Sequence, residues 1–270
     1  GNLIHVRDID FIVEHSEPIL EMQPAKIGIL ENKIGKYCSS LIKDGDCLQL
    51  GIGSIPESVL TFLWDKKNLG LHTEMASDGI IDLMVAGIIN NKEKKNNPGR
   101  SVITFVMGTK RLYDFIDDNP EISMHPVDYV NDPTVIAQND NVVSINSCIQ
   151  VDLMGQVVSE SIGLTQFSGV GGQVDFVRGA AMSKGGRSII AMLSTAAGGT
   201  VSRIVPFLDK GAAVTTSRND VHYVVTEYGI ALLKGKTLRE RAKELIKIAH
   251  PKFREGLKEE YEKRFFEPYE

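Results

Sequence analysis

Cysteine is scarce in this sequence. The three present, Cys38, Cys47 and Cys148, are too few and too irregularly spaced for a disulfide framework or a thiolate zinc site, so a reducing cytoplasm is the expected setting. The histidines His72, His125, His222 and His250 are scattered, with no His-x-x-x-His pair and no His-Cys cluster, and no metal is expected. Positive charge is in deficit: 30 lysines and arginines against 35 acids give a net charge of -5, which leaves no broad basic surface for a nucleic acid. No apolar run approaches membrane-spanning length, and Gly1 to Asp10 lack the cationic-then-apolar order of a secretion signal, so a soluble protein without a membrane partner is expected. A Gly-x-Ser-x-Gly elbow for serine-hydrolase chemistry is missing, as are internal repeats and low-complexity tracts.

What is present is ordinary globular composition, 42% hydrophobic and 24% charged, in a chain of 270 residues that is long enough to bury a substantial core. Apolar residues recur at three and four from Pro24 to Lys43, which predicts an amphipathic helix. Cys47–Leu50 then reads as a strand, Gly51–Ser54 as a glycine turn, and Pro56–Lys66 as a helix with proline in its first turn. The unit repeats: strand at Leu69–His72, loop at Thr73–Ser77, helix at Asp78–Asn91. A strand over Val102–Met107 and a helix over Lys110–Asp118 follow. Val142–Ile145, Ile149–Leu153 and Val157–Val158 are strand-like, with Gly155 and Gln156 turning the last pair into a hairpin. A helix is expected over Asp175–Met182, strands at Ser188–Leu193, Ala212–Thr215 and Tyr223–Val225, a helix capped by Thr237, and another begun by Pro251. Alternation of strand and helix predicts a layered α/β fold with a largely parallel sheet.

Two glycine-rich turns follow strands and run into helices: Gly51-Ile52-Gly53-Ser54-Ile55 and Ser168-Gly169-Val170-Gly171-Gly172-Gln173. Glycine lets the backbone approach a ligand closely, and free N–H groups at a helix start accept anions. Taken alone, each is more often a structural turn. Glu74 follows a predicted strand, and ligands in open α/β sheets bind at the carboxyl ends of strands; equally, Glu74, Ser77 and Asp78 suit the cap of the next helix. Glu160 and Glu227 are rival carboxylates near strand ends. Arg178, Lys184, Arg187, Arg203 and Arg218 form a loose basic series, mostly solvated surface, in which one or two side chains suit a ligand phosphate.

Gly51-Ile52-Gly53-Ser54-Ile55-Pro56, His72-Thr73-Glu74-Met75-Ala76-Ser77-Asp78-Gly79, Gln166 through Phe176 and Thr226-Glu227-Tyr228-Gly229 resemble, in this order, motifs of the acetyl-CoA hydrolase/transferase family, in the branch of 4-hydroxybutyrate and butyryl-CoA:acetate CoA-transferases. The resemblance implies a layered αβα fold of the CoA-transferase type, with residues 24–270 as the C-terminal catalytic domain and residues 1–23 as a lead-in from an N-terminal half. It implies coenzyme A transfer between a short-chain acyl-CoA and a carboxylate through a glutamyl-CoA thioester, with hydrolysis of the acyl-CoA or non-catalytic ligand binding as alternatives. Glu74 resembles the nucleophile. Gly51, Ile52, Gly53, Ser54 and Ile55 resemble a CoA-contacting loop with the Ile52 amide as oxyanion donor, and Ile149, Gly171, Gly172 and Gln173 resemble further contacts. At Ala197 relatives often carry a lysine near the CoA phosphates. Coenzyme A is implied as substrate, with no tightly bound cofactor, and the whole protein as a homo-oligomer.

Overall fold

The computed structural model describes residues 4–270; the first three residues of the expected lead-in lie outside the described residues. Strands Cys47–Leu50 (β1), Gly70–Ala76 (β2), Ser101–Val106 (β3), Ile122–Met124 (β4) and Val142–Ser147 (β5) belong to one sheet. Short strands Gln150–Asp152 (β6), Val157–Val158 (β7), Ser161–Ile162 (β8) and Thr165–Gln166 (β9) lie outside it, and Arg187–Ala191 (β10) returns to it. Thr195–Ala196 (β11), Val201–Ser202 (β12) and Ile204–Val205 (β13) are again short, and Tyr223–Thr226 (β14) and Gly229–Leu232 (β15) close the sheet. Its order is β15-β14-β10-β5-β1-β2-β3-β4, parallel throughout except for the β14–β15 hairpin at one edge.

Helices cover both faces. Ile29–Ser40 (α1), Ser54–Thr61 (α2) and Gly79–Val85 (α3) pack with Leu48, Leu50, Val143, Ile145 and Ile189. Lys110–Ile116 (α4) follows β3; Val127–Val130 (α5), Pro133–Ile136 (α6) and Gln173–Met182 (α7) pack against the opposite face with Cys47, Val102 and Val142. Leu238–Ile248 (α8) and Pro251–Phe265 (α9) bury Leu245, Ile246 and Tyr261 against Ile190 and Val224. Adjacent residues of one strand, such as Cys47 and Leu48 or Val142 and Val143, thus enter different cores, which is why apolar residues stand side by side in the central strands. The layered α/β architecture is as expected, and α8 starts with the Thr237–Glu240 capping box.

Several boundaries move. The strand expected at Leu69–His72 continues to Ala76, because Met75 and Ala76 still pair with Phe105 and Val106 of β3; the stretch expected as loop is strand, and Glu74 stands within it. The helix expected from Pro24 starts at Ile29, behind an extended Gly28. The helix expected to reach Asn91 ends at Val85: Gly87 turns the chain at φ 71, and the Leu69 amide then bonds to Ile88 O at 2.8 Å. Ala212–Thr215 is not a strand; the Thr215 and Thr216 amides both reach Val157 O and leave only an isolated bridge. Of the lead-in, residues 20–22 cross the end of β3, with the Met22 amide on Gly108 O at 2.9 Å and the Tyr113 hydroxyl on Leu20 O at 2.9 Å. Among the described residues no helix is long and apolar enough to cross a membrane.

Lys94 fastens the connection after α3 to the start of β2: its Nζ donates to Leu71 O at 2.9 Å and to Arg100 O at 2.6 Å. Burial pushes this ammonium down from 10.5 to about 8. The folded chain therefore binds fewer protons here than the unfolded chain between those values, and this group's contribution to stability rises with pH through that window. The buried thiols of Cys38, Cys47 and Cys148, pushed up to about 12, 11 and 12, act with the opposite sign once unfolded cysteine ionises. The signature therefore lies in a difference: from about pH 8 to pH 10 the urea-unfolding stability of the wild type should gain roughly 2 kcal/mol on that of Lys94→Met. Parallel pH profiles for the two proteins would contradict this account of Lys94.

Candidate active site

Strand alternation puts His72, Glu74 and Ala76 on one face of β2 and Thr73 and Met75 on the other. Residues on both sides of Glu74 are buried, while Glu74 itself is half-buried at the strand's carboxyl half. Its supports are local. Thr73 Oγ1 accepts from the Leu50 amide at 3.3 Å and lies 3.1 Å from Leu50 O, so β1 is tied to β2 immediately before the Gly51 turn. His72 Nε2 lies 2.8 Å from Val130 O and burial pushes its imidazole down to about 4, so the neutral ring donates from Nε2 to that carbonyl. That bond holds the end of α5, and with it Asn131, beside Glu74.

The second glycine turn closes on the same carboxylate. A Cβ built at Gly172 would overlap Glu74 Oε2 and lie 2.5 Å from Asn131 Nδ2, so any side chain here would push the ends of both side chains aside. Gly171, at φ 59, directs the turn into α7. Together Glu74, Gly51, Ile52 and residues 168–173 line one cleft of about 370 Å³, which also includes Gln49, Phe105, Asn146, Ser147, Ser159 and Glu160. Among the described residues no acceptor takes the main-chain N–H of Ile52, Gly171 or Gly172. A second, open recess on the other side of Glu74 is acidic, lined by Asp128, Asp132 and Asp175. Burial, and then the Glu74 charge, hold the Asp175 carboxyl above its ordinary value.

Of the residues singled out from the sequence, Gly51, Ile52, Gly171, Gly172 and Gln173 converge with Glu74 in this cleft. Gly53, at φ 109, lines the neighbouring recess between Met22, Met75 and Met107. Ser54 opens α2, and Ile55 points into the core, only 8% exposed, so its side chain is unavailable to a ligand. Ile149 lies in the β6–β7 hairpin, its amide already donated to Val158 O at 2.7 Å, and it does not line the cleft. Ala197 lies in a different pocket, with Gly198, Gly199, Arg203, Glu227, Tyr228 and His250. Glu227 belongs to that pocket and is buried there, taking the Ser194 amide at 2.9 Å and the Ser194 hydroxyl at 2.5 Å. Of the basic series, Arg187 is a core residue paired with Asp46 and bonded to Leu41 O, Arg178 pairs with Asp220, and Arg203 alone of the five lines the Ala197 pocket.

The sequence reading missed Gln49, Asn146 and Asn131. Gln49 and Asn146 face each other across β1 and β5 as a reciprocal amide pair, Nε2 to Oδ1 at 3.2 Å and Nδ2 to Oε1 at 3.1 Å, with the Ser144 hydroxyl donating to Gln49 Oε1 at 2.6 Å. The signal was there: a glutamine in Cys-Leu-Gln-Leu and an asparagine in Val-Val-Ser-Ile-Asn-Ser are polar amides inside strands that are otherwise largely apolar and buried.

The close approach at Gly172 sets an expectation. Gly172→Ala should cost up to about 1 kcal/mol of unfolding free energy, because the new methyl must displace the movable ends of the Glu74 and Asn131 side chains. Gly169→Ala, whose Cβ would meet nothing within 4 Å, should change stability by less than about 0.5 kcal/mol. Chemical denaturation of both variants decides it, and equal effects would mean that the turn does not press on Glu74.

The family model for the acetyl-CoA hydrolase/transferase C-terminal domain matches residues 108–261. The 4-hydroxybutyrate coenzyme A transferase of Clostridium kluyveri is 67% identical over 264 residues, covering 98% of this chain and 62% of that protein. The succinyl-CoA:cyclohexane-1-carboxylate CoA transferase of Geobacter metallireducens is 55% identical over 256 residues, covering 95% of this chain and 59% of that protein. The chain therefore spans about three fifths of the length of these curated relatives. Among solved structures, RipA from Yersinia pestis is similar with a TM-score of 0.92 and 48% identity, over 98% of this chain and 60% of that one. A 4-hydroxybutyrate CoA-transferase from Porphyromonas gingivalis is similar with a TM-score of 0.86 and 52% identity, over 97% of this chain and 62% of that one. The chain belongs to the acetyl-CoA hydrolase/transferase family.

Proposed function

We propose that the protein containing this chain transfers coenzyme A between a short-chain acyl-CoA and a carboxylate, with Glu74 as nucleophile. The observation that carries this reading is the single cleft in which Glu74 meets the Gly51–Ile52 and Gly171–Gly172 turns. A glutamate is ionised at neutral pH and attacks a thioester without a general base. Attack of a Glu74 oxygen on the thioester carbonyl forms a tetrahedral oxyanion. Its collapse breaks the carbon–sulfur bond, releasing CoA thiolate and leaving an acyl-glutamyl anhydride. The thiolate then attacks the glutamyl carbonyl; the acyl group departs as its carboxylate, and CoA remains on Glu74 as a thioester. An incoming carboxylate reverses the sequence. Each oxyanion needs a donor, and the Ile52 amide in the turn before α2 and the Gly171 and Gly172 amides before α7 supply them; one well-placed donor of this kind is worth roughly 2.7–4 kcal/mol in the transition state.

The names of the relatives favour acetyl-, butyryl- or 4-hydroxybutyryl-CoA as donor and a short carboxylate as acceptor. In this reading the Ala197 pocket takes the phosphate-bearing end of CoA, with Arg203 as the cation where position 197 has none, and Gly53 and Ser54 support the Ile52 turn rather than touching the thioester. Hydrolysis would follow from the same residues if water reached the anhydride before the acid. The three free, buried cysteines suit a cytoplasmic enzyme. Phe11, Val13 and Leu20, left exposed along the lead-in, favour a larger assembly, for which we propose a homo-oligomer of the whole protein.

In the whole protein, Glu74→Ala should lower transfer from butyryl-CoA to acetate by at least about a thousandfold, since the covalent route is lost. Hydroxylamine or borohydride added with acyl-CoA should mark Glu74 of the wild type, read by peptide mass spectrometry. A mark on Glu160 or Glu227 instead would move the nucleophile. CoA release that acetate does not redirect into acetyl-CoA would make the protein a hydrolase.

A further inference from the structure

Glu160 shares the cleft with Glu74, yet the attack chemistry gives it no task. It sits in the link between β7 and β8, where its surroundings fix it closely. Its carbonyl accepts the Phe167 amide at 2.8 Å and the Ser168 amide at 3.4 Å, which anchors the start of the second glycine turn. On one side the Ser159 amide bonds to Thr215 Oγ1 at 2.9 Å; on the other, Ser161 Oγ takes the Ala213 amide at 2.9 Å. The main chain is thus held on both flanks. The carboxylate is not: Glu160 Oε2 is buried without a hydrogen-bond partner, and among the described residues no lysine, arginine or histidine pairs with Glu160. Glu227, the buried glutamate near another strand end, has both oxygens bonded, whereas Glu160 is half-buried with only its Oε2 enclosed.

A buried acceptor left unbonded destabilises the fold by about 1–3 kcal/mol, and more when charged. Such a group in a substrate cleft is explained if the missing donor arrives with the substrate. An unsubstituted acceptor such as acetate or butyrate brings no donor, and its charge would be repelled. An acyl-CoA brings two kinds, the amide N–H and hydroxyl groups of its pantetheine arm and, in a hydroxyacyl substrate, the hydroxyl of the chain. We infer that Glu160 is a binding residue whose carboxylate accepts a hydrogen bond from an N–H or O–H donor of the bound acyl-CoA, holding the thioester beside Glu74. This rests on the CoA-transfer reading above and adds to it a residue that positions the substrate without attacking it.

The test uses calorimetric titration of the whole protein with CoA, butyryl-CoA and 4-hydroxybutyryl-CoA, comparing wild type, Glu160→Met and Glu160→Gln, together with melting temperatures without ligand. Methionine removes the acceptor at similar size; glutamine keeps an acceptor oxygen. The expected result is a dissociation constant raised at least about tenfold by Glu160→Met and largely restored by Glu160→Gln, with the unliganded Met variant melting at or above the wild type. A loss common to all three ligands assigns the donor to the pantetheine arm, and a loss confined to 4-hydroxybutyryl-CoA assigns it to the acyl hydroxyl. Unchanged constants, or both variants melting well below the wild type, would overturn the inference, the second by making Glu160 a structural residue. Failure of the wild type to bind any of the three ligands would instead sink the CoA reading itself.

Discussion

The contact on which this site depends is the approach of the main chain at Gly172 to the carboxylate of Glu74. A side chain at position 172 would occupy the space that the ends of Glu74 and Asn131 now fill, so the absence of a Cβ lets β2 and the second glycine turn meet with both side chains in place. Everything that gives the cleft its chemistry sits on one side or the other of that contact. On the strand side, Thr73 ties β2 to β1 at the point where the Gly51 turn departs. On the turn side, α7 begins at once, at Gln173, which lines the same cleft as the carboxylate.

The core beneath the cleft is unusual for its polar content. Gln49, Ser144 and Asn146 lie in the two central strands, where flanking residues are apolar and buried, and they bond chiefly to one another. Such a network is stable only if each member finds a partner, and it then fixes side-chain direction more sharply than apolar packing would. Its upper end opens into the cleft at Asn146, while Glu160 leaves an oxygen unbonded close by. The site therefore combines a preorganised polar floor with a group whose bonding is completed from outside.

Much of the fold was legible because the central strands are buried on both faces and so are rich in apolar residues, with glycine and proline marking the intervening turns. The β1 boundaries and the Thr237 cap follow from local chemistry alone. Where the reading went astray, tertiary pairing outweighed local pattern. Nothing in Thr73-Glu74-Met75-Ala76 signals a strand, since a polar pair interrupts the run; pairing of Met75 and Ala76 with β3 makes it one. Ala212–Thr215 has strand-like composition, but its amides go to Asp209 O, Ser161 Oγ and Val157 O in turn, so no ladder forms beyond the isolated bridge at Thr216.

By itself the sequence determined the elements, the two glycine turns and the short list of acids from which Glu74 had to be chosen, because turn conformation and burial patterns are properties of neighbouring residues. Only the tertiary structure decided which acid meets which turn. It brought Glu74, Gly51–Ile52 and Gly171–Gly172 into one cleft, sent Glu227 and Ala197 to another pocket, and spent the Ile149 amide on a hairpin bond. The reason is physical: convergence depends on parallel strand order and on the space between segments far apart in the chain, and neither is encoded within any single stretch of residues.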